Sequence, residues 1–255
     1  MLRNFITALQ FLTIFRVRKD HEVDESDLAR SMTYFPFVGF VIGIILVYAD
    51  KALLWLFPDT IANIFLLLLG ALITRALHID GLADSVDGIT GGSDAESRLA
   101  IMKDSRIGTA GVLAVLFVLL IRYACLNTLF YDFKTAALLT APAFSRWSQM
   151  LMMFEAEYGR EEGLGSAFVG HVRYGGLVAA SIITVGLSGF VIYQYDMRTA
   201  VLAICIPIAV ALFTVLWRWY VVRKTGGVTG DSIGAVSEMN EALTLLLFVF
   251  LLTER

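Results

Sequence analysis

Seven long apolar stretches are the feature that most constrains how this chain folds. A helix that crosses a bilayer needs about 20 mainly apolar residues. Hydrophobic residues make up 58% of the 255 residues and charged residues 17%, against about 45–50% and about 25% in soluble domains. This balance excludes a disordered chain, a basic nucleic-acid-binding module and most soluble folds. We predict one domain over residues 1–255, an all-α polytopic transmembrane helix bundle in a lipid bilayer.

The apolar stretches predict seven spanning helices, of which the last is short and therefore buried or tilted. They are Tyr34–Phe57, Ile61–Ile79, Thr109–Phe130, Thr135–Phe154, Gly175–Tyr195, Thr199–Val222 and Glu241–Leu252. Near the N-terminus, Phe5, Leu9 and Leu12 repeat at helical spacing between two arginines. This pattern predicts an additional helix that lies in the membrane interface.

The connections between these helices fall into two classes. Those at Pro58–Thr60, Tyr131–Lys134 and Asp196–Arg198 are tight turns, and those at His78–Gly108, Glu155–Tyr174 and Arg223–Asn240 are long and polar. Because consecutive helices alternate in direction, the long connections and Arg16–Arg30 all lie on one side. That side carries most of the basic residues, whereas the loops and tail of the other side have only Lys134, Arg198 and Arg255. By the positive-inside rule, the side with the long connections is cytoplasmic.

Arginines interrupt several of the apolar stretches. They are Arg75, Arg122, Arg146 and Arg218. A charged side chain inside a bilayer is costly unless it pairs or reaches the interface. We expect Arg75, Arg146 and Arg218, in the cytoplasmic halves of their helices, to reach the interface or to line the site.

Three aspartates follow the second apolar stretch. Asp80, Asp84 and Asp87 are spaced i, i+4 and i+7, so a helix places them on one face. Two carboxylates about 6 Å apart repel by roughly 3 kcal/mol at an effective dielectric near 20, so the cluster needs a cation, protonation or basic neighbours. Carboxylate oxygens favour Mg²⁺, Mn²⁺ or Ca²⁺ over zinc or copper. We predict that these aspartates are metal ligands; the alternative is a solvated acidic helix end.

Further candidate residues surround this cluster. The predicted substrate contacts are His78, Arg98, Lys103, Ser105 and Arg106. Lys103 and Arg106 are the cations that bound phosphates require nearby, and Asp104 between them is placed to complete the site. His78 fits an interfacial histidine equally well, and Arg98 fits a solvated charge equally well.

Two more connections contain residues of interest. The segment Gly163–Arg173 is interpreted as a loop that covers a substrate or as an ordinary connection. The next connection contributes the predicted substrate-binding residues Gly226, Gly227, Thr229, Gly230, Asp231 and Glu238. Glycine-rich backbone with a threonine hydroxyl commonly holds a phosphate, although no Gly-Lys-Ser/Thr ends this run as in a Walker motif. Asp231 or Glu238 is expected to bind a second cation, a ribose or a base.

The motifs resemble a known family. His78-x-Asp-Gly-Leu-Ala-Asp84-x-x-Asp-Gly88 and Met102-Lys-Asp-Ser-Arg-x-Gly108-x-x-Gly111 are similar to the signature of cobalamin synthases, also called adenosylcobinamide-GDP ribazoletransferases. Ala8-Leu-Gln-Phe-Leu-Thr13, Phe35-Pro-Phe-Val-Gly39 and Gly226-Gly-Val-Thr-Gly-Asp231 agree as well, so the resemblance spans nearly the whole chain. The family usually carries Thr-Gly-Gly before the first motif, where this chain has Thr74-Arg75-Ala76.

The resemblance implies an Mg²⁺-dependent membrane transferase of cobalamin biosynthesis. It would join adenosylcobinamide-GDP to α-ribazole or its 5′-phosphate, giving adenosylcobalamin or its 5′-phosphate and GMP. Asp80, Asp84 and Asp87 would hold Mg²⁺, and Asp104 would act as the general base. The implied location is the bacterial inner membrane, with the active site facing the cytoplasm. The expected partners are these substrates and the bilayer, not nucleic acid, together with a second copy of the chain or other cobalamin-assembly enzymes.

Two alternatives stay open from the residues. Asp84-x-x-Asp87-Gly88 matches the start of the CDP-alcohol phosphotransferase motif, although the following Ala-Arg is absent; such an enzyme would release CMP. An ion-coupled transporter would instead use the aspartates as a cation site at the middle of the bilayer.

Overall fold

The computed structural model describes residues 2–17, 25–163, 165–194 and 200–252. Within these ranges the regular structure is helical, apart from one isolated bridge between Tyr158 and Val228. The helices are α1 Leu2–Leu12, α2 Glu25–Ser31, α3 Phe35–Leu54, α4 Asp59–Ile73, α5 Leu77–Gly91, α6 Ala95–Met102, α7 Thr109–Thr128, α8 Tyr131–Met153, α9 Tyr174–Tyr193, α10 Ala200–Thr225 and α11 Gly230–Leu252. Several parts of the predictions lie outside the described residues: Tyr195, the turn Asp196–Arg198, Thr199 and Arg255.

All seven apolar stretches form helices, and the all-α membrane fold is confirmed. Five segments are long and apolar enough to span a bilayer: Ser26–Leu54, Thr109–Thr128, Tyr174–Tyr193, Val201–Thr225 and Gly230–Leu252. A sixth is counted if α4 and α5, which meet at an 88° bend, form one broken span. By length and composition the described residues therefore contain five or six candidate spans, where the sequence predicts about seven. The difference includes α8, which is 23 residues long but carries buried polar side chains such as Lys134 and Arg146.

Helix α8 lies at the centre of the bundle, where α3, α9, α10 and α11 pack against it. A Cβ atom at Gly39 of α3 would lie 2.4 Å from the carbonyl oxygen of Pro142, so glycine permits the close approach of α3 and α8. The outer helices instead expose large apolar side chains, including Phe117, Ile182 and Ile208. Exposed apolar surface of this kind is suited to contact with lipid.

A buried ion cluster joins α7, α8 and α11. The Arg122 guanidinium donates to Glu238, 2.7 Å away, and to Glu241, and Arg146 donates to Glu241 over 2.9 Å. All four side chains are at least nine-tenths buried. Two predictions are corrected here. Glu238 is not in a loop, since α11 begins at Gly230, and Arg146 pairs inside the bundle instead of reaching the interface.

The predicted connection His78–Gly108 contains two helices. The second apolar helix ends at Ile73 rather than Ile79, and the chain bends by 88° before α5 begins. Asp94 caps α6 by accepting from the backbone N–H of Ser97 over 2.9 Å. The many glycines and aspartates of α5 favour turns by propensity, but packing against α7 and α11 holds the segment helical.

Candidate active site

The bend before α5 determines where the aspartate face points. Arg75 and Ala76 both adopt left-handed backbone conformations, with φ of 57° and 53°. The Thr74 hydroxyl donates to the carbonyl of Gly70, and the Arg75 guanidinium donates to the carbonyl of Phe11 over 2.8 Å. The bend is thus tied to the end of α1, and α5 is turned toward the N-terminus of α11.

Helices α5 and α11 approach each other through glycine. A Cβ atom at Gly81 would lie 2.7 Å from the carbonyl oxygen of Asp231, and one at Gly234 would lie 3.2 Å from the Cα atom of His78. Real Cβ atoms essentially never come as close as the first of these distances. The absence of a side chain at Gly81 therefore brings Asp231 beside the aspartates of α5.

A cavity of about 190 Å³ opens where these helices meet the segment after α8. Its polar lining includes His78 and Asp80 from α5, Tyr158 and Arg160 from the connection after α8, and Asp231 from α11. These residues come from the three long connections that the sequence predicts on one side of the bundle, and the structure brings all three together. The remaining lining is mainly apolar and includes Phe11, Phe35, Leu77, Met153 and Phe168.

Negative charge exceeds positive charge on the polar side of the cavity. The Arg160 guanidinium pairs with the Asp231 carboxylate. Asp84 does not line the cavity, but it is partly buried and lies near the charges of Asp80 and Asp231. A cation bound at this position would relieve the repulsion.

The acidic side chains at the cavity fit a magnesium ion only if a bound substrate supplies further oxygen ligands. Among the described residues, no three acidic, histidine or cysteine side chains form a ready-made metal site. Mg²⁺ usually takes one or two carboxylates and completes its coordination with water and substrate phosphates. Asp80, which lines the cavity, and Asp84, one turn further along α5, are carboxylates of this kind.

Asp87, a predicted metal ligand, has both carboxylate oxygens hydrogen-bonded to backbone at the start of α7. Its carboxylate accepts hydrogen bonds from the backbone N–H groups of Gly108, over 2.7 Å, and Gly111, over 2.8 Å. These N–H groups belong to the first turn of α7 or immediately precede it, and they have no partners within that helix. Both oxygens of Asp87 thus face α7, so the geometry gives this residue a capping role.

The segment after α6 lies outside the cavity lining. The Asp104 carboxylate accepts from the Arg106 side chain and backbone N–H, each over 3.0 Å. These hydrogen bonds lower the pKa of Asp104 to about 2. Such a group is a weak proton acceptor near neutral pH, which disfavours its predicted role as general base. Lys103, Ser105 and Arg106 are exposed to solvent.

Arg98, predicted as a substrate contact, joins two structural elements instead. Its guanidinium donates to the carbonyl of Lys224 over 3.1 Å and to that of Ser93 over 3.0 Å. The side chain therefore fastens α6 to the end of α10, and both hydrogen-bonded partners are main-chain groups of the protein.

The glycine-rich segment before α11 builds a turn. Gly226 has φ of 79°, and a Cβ atom at Gly227 would lie 2.6 Å from the backbone nitrogen of Gly159. The Thr229 hydroxyl accepts from the backbone N–H of Ser232 over 3.2 Å and so caps α11. Of the residues predicted here, Gly230 and Asp231 line the cavity, whereas Gly226, Gly227 and Thr229 shape the turn and Glu238 belongs to the ion cluster.

Sequence reasoning missed several lining residues. Arg160 and Tyr158 lie in a connection whose role was left open, and Gln149 lies inside an apolar stretch. Gln149 Nε2 lies 2.9 Å from His78 Nε2. A signal was available for Gln149, because polar residues cluster in α8 at Ser145 and Ser148, on the turn that precedes it.

The fold and the site define a polytopic membrane protein with a cavity lined by two carboxylates, an arginine and a mainly apolar wall. The comparisons with known proteins make the class specific. The family described as cobalamin-5-phosphate synthase matches residues 4–249. The chain therefore belongs to this family.

Curated relatives cover almost the whole chain. An adenosylcobinamide-GDP ribazoletransferase of Geotalea daltonii is 39% identical over 249 residues, which is 98% of each chain. Proteins with the same name from Clostridium novyi and Clostridioides difficile are 36% and 34% identical, over 96% and 98% of each chain. No solved structure matches the chain.

Proposed function

We propose that this protein transfers the phosphocobinamide group of adenosylcobinamide-GDP to α-ribazole or its 5′-phosphate, forming adenosylcobalamin or its 5′-phosphate and releasing GMP. The main structural support for this proposal is the cavity, where Asp80, Arg160 and Asp231 from three separate segments come together. Membership of the cobalamin-5-phosphate synthase family and the relatives' printed names support the reaction, and favour it over CDP-alcohol transfer and ion transport.

The proposed reaction is a displacement at phosphorus. The acceptor hydroxyl oxygen forms a bond to the phosphorus that carries cobinamide, the bond from that phosphorus to the GMP oxygen breaks, and GMP leaves with the electron pair. Asp231 is the proposed acceptor of the hydroxyl proton, because it lines the cavity beside the α5 aspartates. Arg160, held by its ion pair with Asp231, is placed to contact phosphate oxygens.

We further propose that Asp80 and Asp84, one turn apart on α5, hold Mg²⁺ when the diphosphate is present. Bound Mg²⁺ supplies neutralisation of the charge on the diphosphate. Asp87 is left out of this set because its oxygens cap α7. The proposed location is a bacterial cytoplasmic membrane with the cavity facing the cytoplasm, and association with itself or with other cobalamin-assembly enzymes stays a prediction.

The test is GMP release by the purified full chain in lipid nanodiscs, with both substrates and with or without Mg²⁺. Asp80→Asn and Asp231→Asn are expected to lower turnover at least about a hundredfold. Asp132→Asn is the matched control, because Asp132 is exposed at the start of α8. Normal turnover by Asp231→Asn, or CMP release from a CDP-alcohol in place of GMP release, would contradict the proposal.

A further inference from the structure

The cavity has an aromatic side that the proposed reaction does not use. The ring centroids of Phe11 and Phe168 are 4.6 Å apart, and those of Phe35 and Phe168 are 5.9 Å apart. Phe35 and Phe168 are only 2% and 3% exposed. Met153 and Leu77 complete this apolar wall. Such a wall favours a flat aromatic ligand, since ring faces and edges pack well against other rings.

His78 provides a buried hydrogen-bond donor beside the aromatic wall. Gln149 Nε2 is 2.9 Å from His78 Nε2 and 2.8 Å from Ser237 Oγ, so the amide nitrogen donates one hydrogen to each. His78 Nε2 is then the acceptor, and the neutral imidazole carries its proton on Nδ1. His78 is 4% exposed and lines the cavity, and its Nδ1 has no hydrogen-bond partner in the described part of the chain.

Resting on the proposed function, we propose that this cavity is the subsite for the benzimidazole base of the acceptor nucleoside. The base lies against Phe11, Phe35 and Phe168, and its unsubstituted ring nitrogen accepts a hydrogen bond from His78 Nδ1. A buried donor that is left without a partner is costly, and this ligand provides the missing acceptor. The ribose then extends toward Asp80 and Asp231 on the polar side, where the reacting hydroxyl is needed.

The volume of the cavity agrees with this occupant. An apolar cavity of about 150 Å³ accommodates benzene, so the whole cavity of about 190 Å³, polar side included, has room for a fused-ring base at its aromatic end. A corrin macrocycle is far too large for it. The adenosylcobinamide part of the other substrate must therefore lie outside this cavity, with its diphosphate at the carboxylates.

Guanine, the other base of the reaction, fits the aromatic end of the cavity less well than the polar end, where Arg160 and Asp231 lie. It presents the acceptors N7 and O6 and an amino donor along its edges, which apolar phenylalanine side chains cannot satisfy. Benzimidazole nucleosides have one free ring nitrogen. Among the described residues that line the cavity, His78 Nδ1 is without a partner beside the aromatic wall, and Arg160 Nε is without one on the polar side. The number of hydrogen-bonding groups thus separates the two bases.

The test is equilibrium binding of α-ribazole to the full chain in nanodiscs, without the second substrate, so that turnover is not required. Phe168→Leu and His78→Phe are each expected to weaken α-ribazole binding about three- to tenfold. The KM for adenosylcobinamide-GDP is expected to stay unchanged. Phe144→Leu is the matched control, because Phe144 is 1% exposed in α8 but does not line the cavity.

A second measurement needs no variant. GMP is expected not to compete with α-ribazole for binding to the wild-type protein. Competition between them, equal weakening of both substrates by Phe168→Leu, or no α-ribazole binding to the wild type would each overturn the subsite. Failure of the proposed function gives a different result, since the wild type would then release no GMP even where α-ribazole binds as expected.

Discussion

A Cβ atom at Gly81 of α5 would lie 2.7 Å from the backbone carbonyl oxygen of Asp231 in α11. The proposed site depends on this contact, because it places Asp231 of α11 beside the aspartates of α5. Any side chain at residue 81 must push the helices apart.

Gly81→Ala is therefore expected to lower GMP release at least tenfold, and overpacking is expected to cost about 1–3 kcal/mol of unfolding free energy. Gly186→Ala is the control, since a Cβ atom at Gly186 meets nothing within 4 Å. Activity and thermal unfolding in detergent measure the two effects. Full activity in Gly81→Ala would show that the α5–α11 contact does not set the site.

The capping role of Asp87 predicts a loss of stability when its carboxylate is removed. Asp87→Ala leaves the N–H groups of Gly108 and Gly111 without their acceptor, at a cost of about 1–2 kcal/mol in unfolding free energy. Asp94→Ala removes the exposed cap of α6 and is expected to cost less. If Asp87→Ala abolished activity while the unfolding temperature stayed unchanged, the metal-ligand interpretation would be preferred.

The buried ion cluster predicts a strong dependence on Arg122. Arg122→Met leaves Glu238 and Glu241 short of a cation, at a cost of about 3–5 kcal/mol in unfolding free energy. Adding Glu238→Gln is expected to recover part of this loss, because one unpaired carboxylate is removed. Chemical unfolding in detergent gives the comparison, with the exposed Arg173→Met as control. Additive losses in the double variant would argue against coupling.

The left-handed bend predicts that glycine stabilises the chain at residue 76. Ala76 has φ of 53°, and left-handed backbone costs a residue with a side chain about 1 kcal/mol. Ala76→Gly is therefore expected to raise the unfolding free energy by up to about 1 kcal/mol. Ala71→Gly, inside α4, is expected to have the opposite sign.

Because Asp104 is paired with Arg106, we predict that the protonation of Asp104 does not control the rate of the reaction. Its folded pKa is about 2, below the ordinary value, so its contribution to stability is present above about pH 4 and is lost as the pH falls toward 2. Asp104→Asn is expected to leave the shape of the pH–rate profile between about pH 5 and 9 unchanged. Loss of an acidic limb from that profile in the variant would restore the general-base interpretation.

Much of the proposed site was predictable from local patterns, and some was not. The spacing of Asp80, Asp84 and Asp87 predicts one helix face, and all three lie in α5. The extent of α5 within the predicted connection His78–Gly108 was not predictable, because its glycines and aspartates have weak helical propensity. Polar residues in α11 were likewise assigned to a connection. The prediction failed at Glu238 because the cation that neutralises its buried charge, Arg122, lies 116 residues away in the sequence.

The amino-acid sequence by itself determined that this chain is a helical membrane bundle with its polar segments on one side. A bilayer provides no hydrogen-bond partners for the backbone, so each long apolar stretch has to satisfy its own groups as a helix. Only the tertiary structure decided which carboxylates meet Arg160 in the cavity, which one caps α7 and which pair inside the bundle. These roles depend on contacts between residues far apart in the chain, and local spacing carries no information about such contacts.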